Sequence, residues 1–264
     1  MIGLFFVAVA AGALIYVRKE RRLIQSATVT VDRRTLDSLN AANLARRRED
    51  NLSIQKVAHL AKIDGEDLQI TWRYAGYCRI EHVGVIEFSI DSDNNVPFDD
   101  LQCFAYDLQH DPGRKHKIRP VQIGADGISK KVAVPFLRPL RREESFDVVL
   151  RCELPGCMKA GVDYYSSTLS FDQESIPQCT VRLTFVGQRP YWVRVYEDTS
   201  QGMKLANDLP PAREGRDFTE YDDVTQNLAG QSARVYVFRR TSVYRPNHQS
   251  PHSSGMGVAG RDEA

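Results

Sequence analysis

Residues 146–154 read FDVVLRCEL. Phe146, Val148, Leu150, Cys152 and Leu154 form one alternate set, with Asp147, Val149, Arg151 and Glu153 between them. A strand points successive side chains to opposite faces, so this spacing describes a half-buried strand with an apolar inner face and a wetter outer one. The same period appears in LQITWRY (68–74), with Leu68, Ile70, Trp72 and Tyr74 inward, and in CTVRLTF (179–185), with Cys179, Val181, Leu183 and Phe185 inward.

Outward from these three segments lie less regular candidates: VIEFSI, LQCFAYDL, KIRPVQI, KVAVPF, YYSSTLSF, YWVRVY and SARVYVF. Turn-rich stretches such as DSDNNVP, HDPGRKH, GADG and VGQRP punctuate them. About nine or ten strands are expected between Leu68 and Arg240, with no convincing helix between most of them. The expected fold is therefore mainly β, an antiparallel β-sandwich of immunoglobulin-like type. A closed barrel is the main alternative, and the length also suits two small packed sandwiches. NDLPPAREGRDFTEYDDVTQNLAG (207–230) reads as a polar insertion with one short helix near Tyr221–Leu228. Residues 241–264 are rich in Ser, Gly, Pro and His and read as a disordered tail.

The amino-terminal end has a different character. Ile2–Val17 is uninterruptedly apolar, small or aromatic, and Arg18, Lys19, Arg21 and Arg22 follow at once. A helix of that length spans ~25 Å, the lower limit for a bilayer core. No basic region precedes it, as a cleavable signal would require. The expectation is a single transmembrane helix over 1–19, with the basic cluster holding the rest of the chain in the cytoplasm. A basic helical connector is expected over 20–65. TLDSLNAANLARRRED (35–50) supplies one helix, and LSIQKVAHLAKI (52–63) a second, with Val57, Leu60, Ala61 and Ile63 on one face. The β-domain then covers 66–240.

Net charge is +1, and the chain is 42% hydrophobic and 26% charged, a globular balance with no bias toward nucleic acid. Cys78, Cys103, Cys152, Cys157 and Cys179 are odd in number and irregularly spaced, so no disulfide framework or metal ribbon is written there. Cys152 and Cys179, facing inward, read as small buried hydrophobes. The histidines are His59, His82, His110, His116, His248 and His252. His110 and His116 stand beside Asp107 and Asp111 in one turn. That set lacks a second spaced ligand cluster and reads as a charged turn. Serine-hydrolase, zinc-protease, phosphate-loop and dinucleotide motifs are not found.

Tyr164 and Tyr165 must face opposite sides of a strand, one toward the core and one toward the surface. Arg194, Arg234, Arg239 and Arg240 lie among Tyr and Phe and form the nearest approach to a nucleic-acid patch, which net neutrality opposes. With no catalytic, cofactor or metal residue to assign, the expected role is a membrane-anchored binding, sensing or adaptor module. Its partner would be the bilayer plus a protein or small ligand. The alternatives are a tethered hydrolase or transferase with a loop-built site, or a component of a bacterial defence system. In outline alone the chain is similar to bacterial membrane-tethered sensors and effectors, some of them anti-phage. That resemblance rests on architecture and assigns no residue.

Overall fold

The structure, a computed structural model, describes residues 51–91, 96–123, 128–199 and 202–240. The expected transmembrane segment, the first connector helix and the expected tail lie outside them. Among the described residues no helix is long and apolar enough to cross a membrane.

The described chain is mainly β. Its strands are β1 (Leu52–Asp64), β2 (Asp67–Cys78), β3 (Val83–Asp91), β4 (Phe104–Asp107), β5 (Val121–Gln122), β6 (Ser129–Leu140), β7 (Ser145–Leu154), β8 (Val162–Val186), β9 (Trp192–Thr199), β10 (Gly202–Asp208), β11 (Arg213–Glu214) and β12 (Phe218–Arg239). Its one helical element is the 3₁₀ turn Phe98–Leu101. The larger sheet runs β10-β9-β12-β8-β1-β2-β7-β4, with β11 paired to β12, and a smaller sheet runs β3-β6-β5. Alternation places the residues it was expected to place: Trp72, Phe146, Leu150, Val181 and Leu183 are buried.

Four expectations are corrected. Residues 52–63 are strand β1, not a helix. Val57, His59, Ala61 and Ile63 point inward while Leu60 is exposed, because pairing with β2 and β8 imposes period two. The sheet is not wholly antiparallel: β1 lies parallel to β8 over Lys56–Asp64 and Gln178–Val186. YYSSTLSF and CTVRLTF are one strand, β8, of 25 residues. Finally, Tyr221–Leu228 is the first half of the 22-residue β12, not a helix in an insertion.

β8 and β12 pair along nearly their whole lengths as an antiparallel ribbon. The ribbon turns a corner near Gln173, where the register slips between Ala229 and Gln231. Beyond the corner its two halves face each other. Phe185 on one half meets Phe238 on the other, ring centroids 4.9 Å apart, and also Tyr221 at 5.7 Å. Gln173 fills the corner like a strand neighbour. Its amide accepts from the Ile54 N–H at 2.8 Å and donates to the Ile54 carbonyl at 2.7 Å. Pro177, which has no N–H, lies one residue before β1 joins the ladder, where a donor is dispensable. The small sheet closes the core from the other end, with Tyr74 of β2 stacked on Phe88 of β3 at 4.8 Å and Phe136 of β6 edge-on to Phe146 of β7 at 5.9 Å.

Candidate binding face

The half-sheet made by β10, β9, the second half of β12 and the first half of β8 has an inner and an outer face. Register fixes which residues share each. Trp192 pairs with Arg239, Arg194 with Val237, Tyr196 with Val235, and Tyr164 with Val237 from the other side. These alternate residues all point outward. Val235 and Val237 are nevertheless buried, covered by Val162, Tyr164, Trp192, Tyr196 and Met203. The cover is itself half-buried, and Leu205 beside Tyr196 is 48% exposed. Arg194 lies over the Trp192 ring at 4.6 Å and binds Asp208 at 3.0 Å. Arg239 lies over Tyr191 at 5.6 Å. The face thus gathers aromatic residues, Met and Arg, residue types enriched at protein interfaces in general.

The four arginines of the sequence pattern separate here. Arg194 and Arg239 belong to the outer face. Arg234 points inward, donating to Asp223 at 2.7 Å and Glu197 at 2.5 Å, and the same Asp223 accepts from the Tyr236 hydroxyl at 2.7 Å. Arg240 donates to the Met158 and Gly65 carbonyls and fastens two turns. A nucleic-acid patch needs its cations free on one surface, and this division removes two of the four. The Arg234 pair floors a polar cleft of about 490 Å³ rimmed by Lys204 and Asn207. Within it Arg234 is held by both the Asp223 and the Glu197 carboxylates.

Tyr165 goes to the core and Tyr164 to the outer face, as a strand requires. Tyr165 and Ser167 meet His59, with Ser167 Oγ 2.9 Å and Tyr165 Oη 3.3 Å from Nδ1, while Tyr74 Oη lies 3.3 Å from Nε2. Burial pulls the His59 pKa down to about 3, so the ring is neutral there. Ser167 and His59 resemble a nucleophile and its base. They are 3% and 1% exposed, so no substrate reaches them, and the cluster satisfies polar groups inside the core.

His110 and His116 do not converge. His110 Nδ1 faces Asp107 at 2.7 Å and Nε2 faces Glu144 at 3.3 Å; His116 turns to Asp111. Asp107 is fully buried and also accepts from the Leu137 N–H at 3.1 Å. The turn is thereby clamped to the β6–β7 connection. The Arg141 N–H and His110 beside Glu144 hold its carboxyl below the usual carboxylate range. No set of three metal-ligating residues forms among the described residues.

The cysteines give a correction. Cys103 and Cys152 are joined in a disulfide, their Cα atoms 4.3 Å apart, so Cys152 is not a free buried thiol. They stand opposite each other where β4 approaches β7, at the close spacing of a non-hydrogen-bonded pair. A sequence separation of 49 hid that proximity in the sequence. Cys78, Cys157 and Cys179 are free and buried, and burial pushes the Cys179 thiol up to about 11.

No protein-family model and no curated protein matches this chain. Among solved structures it is similar to an M1 zinc metallopeptidase from Deinococcus radiodurans, at 18% identity and a TM-score of 0.43, over 70% of this chain and 42% of that one. A point mutant of that enzyme bound to a Tyr-Ser-Ala substrate gives 16% identity and 0.43, over 77% of this chain and 51% of that one. The chain thus spans at most about half the length of these structures, and a likeness of this size says nothing about its activity.

Proposed function

We propose that the chain is a membrane-anchored binding module whose outer face around Trp192 and Tyr196 docks a protein partner. The observation that carries the reading is the continuous cover of Val162, Tyr164, Trp192, Tyr196 and Met203 over two buried valines on a sheet surface. The fold half of the proposal is a β-sandwich of immunoglobulin-like type, supported by the facing halves of the β8–β12 ribbon. The parallel β1–β8 pair departs from the simplest form of that type. A photo-crosslinking residue at Tyr196 should give one discrete product in the native host. The same residue at Thr180, on the other half of β8, should give none. Equal products at both positions, or none at either, would remove the face from consideration.

The anchor is residues 2–17, with the domain on the cytoplasmic side, supported by the four basic residues at 18–22. A cysteine placed at Gly255 should then escape an impermeant thiol reagent on intact cells. The Cys103–Cys152 disulfide favours the opposite reading, a domain on an oxidising side of the membrane. Efficient labelling at 255 would select that second reading. The enzymatic alternative would need a reactive group open to solvent, which the enclosed Ser167–His59 contact is not.

A further inference from the structure

The segment from β4 to β5 carries a second pattern. Between Arg114 and Arg119 lie Arg114, Lys115, Lys117 and Arg119, with no acidic residue among them. From Lys117 the chain is extended. Lys117, Arg119, Val121 and Ile123 are exposed, while Ile118 and Pro120 are buried and Gln122 is half-buried. This is strand periodicity read outward: two cations followed by two branched apolar side chains, in one line of about 20 Å. The line is pinned at both ends. Ile118 exchanges backbone hydrogen bonds with Ala105 at 2.8 and 2.9 Å, and the Ile123 N–H donates to Lys131 at 3.0 Å.

The apolar end is widened by its neighbours. Val121 pairs with Ala133 and Val85 with Pro135 across the small sheet, and Ile128 is the residue just before β6. Val121 is 58% and Ile128 56% exposed. The cationic end borders a cleft of about 340 Å³ lined by Phe98, Phe104 and Ile118. Lys117 lies over the Phe104 ring at 4.1 Å. Two carboxylates face the stripe: Asp99, which holds Arg119 at 2.8 Å, and Glu87, half-buried on the small sheet.

We propose that this stripe is a second membrane contact, which seats the domain on a bilayer containing anionic lipid. Exposed cations beside exposed branched apolar residues match the phosphate layer and the acyl boundary beneath it. The inference rests on the membrane half of the reading above and is independent of the Trp192 face.

The full chain, carrying an environment-sensitive fluorophore at Ile123→Cys, is placed in lipid nanodiscs. One set contains phosphatidylcholine alone and the other phosphatidylcholine with phosphatidylserine. A second sample carries the fluorophore at Lys204→Cys, on β10. The expected result is blue-shifted emission and loss of iodide quenching at 123 only in the anionic discs, with position 204 unchanged in both. Lys117→Gln with Arg119→Gln should abolish the shift; two cations near an anionic surface correspond to roughly a 30-fold change in occupancy. Identical spectra at 123 in the two lipids, or a shift that survives the double substitution, would overturn the proposal. A chain that enters neither disc refutes the anchor at 2–17 instead. The same labelled chain is then added to vesicles of the two compositions, where the same spectra decide the stripe.

Discussion

Gly230 faces Gln173 at the corner of the β8–β12 ribbon, where a Cβ at position 230 would overlap the carbonyl oxygens of Gln173 and Phe171. The two strands approach so closely there because β12 slips register between Ala229 and Gln231 while β8 turns. Gly230→Ala should therefore force backbone apart and cost at least ~1–3 kcal/mol, in the range of overpacked cores. Urea midpoints measure it. A variant as stable as the parent would mean that the ribbon does not fold at this residue.

Leu150 and Arg151 are neighbours with opposite fates. Leu150 is fully buried, whereas Arg151 is half-exposed and lies over the Phe104 ring at 5.6 Å. Leu150→Ala should cost ~2–5 kcal/mol and Arg151→Ala under ~1 kcal/mol. Reversal of that order in denaturant titrations would shift the register of β7 by one residue.

His59 makes stability depend on pH in a defined direction. Its folded pKa, about 3, lies below the unfolded value of 6.5. Above pH 6.5 the ring is neutral in both states and contributes no dependence. Below it the unfolded chain takes up the proton first, so stability falls as pH drops from 6.5 toward 3. The loss across that window is on the order of a few kcal/mol. His59→Met removes the titration, and the gap between the two proteins should close in the variant's favour as pH falls. Parallel stability curves from pH 7 to pH 4 would contradict burial of a neutral ring.

The disulfide predicts a count. Alkylation of the denatured, unreduced chain should modify Cys78, Cys157 and Cys179 only, and reduction should expose Cys103 and Cys152 as well. Closing a loop of 49 residues stabilises by ~4 kcal/mol in the chain-entropy view, so Cys152→Ala should lower the urea midpoint of oxidised protein markedly. Five modified cysteines before reduction would show that the pair is not joined.

Local alternation was enough to read β2, β3, β6, β7 and β9. A strand with one core face needs apolar residues at every second position whatever its neighbours are. It also assigned Trp72, Phe146 and Leu150 to the core and separated Tyr164 from Tyr165. β1 is not legible as a strand in the sequence because LSIQKVAHLAKI carries apolar residues at both helical and strand spacing, and His59, polar by type, holds an inward position. The β12 half after Phe218 is hidden in the sequence because Asp222 and Asp223 resemble loop residues. In the sheet Asp222 pairs Arg182 at 2.7 Å across the strands, and Asp223 is buried against Arg234.

By itself, then, the sequence determined the mainly β character and the inward residues of its regular strands. These follow from period and composition, which are local quantities. Only the tertiary structure decided that β1 runs parallel to β8, that one ribbon doubles back on itself, and that Cys103 reaches Cys152. It alone divided four similar arginines between the outer face of the sheet and the interior. Each of these depends on which distant strands become neighbours. That choice is made by the summed packing of the whole core, and no short window of sequence contains it.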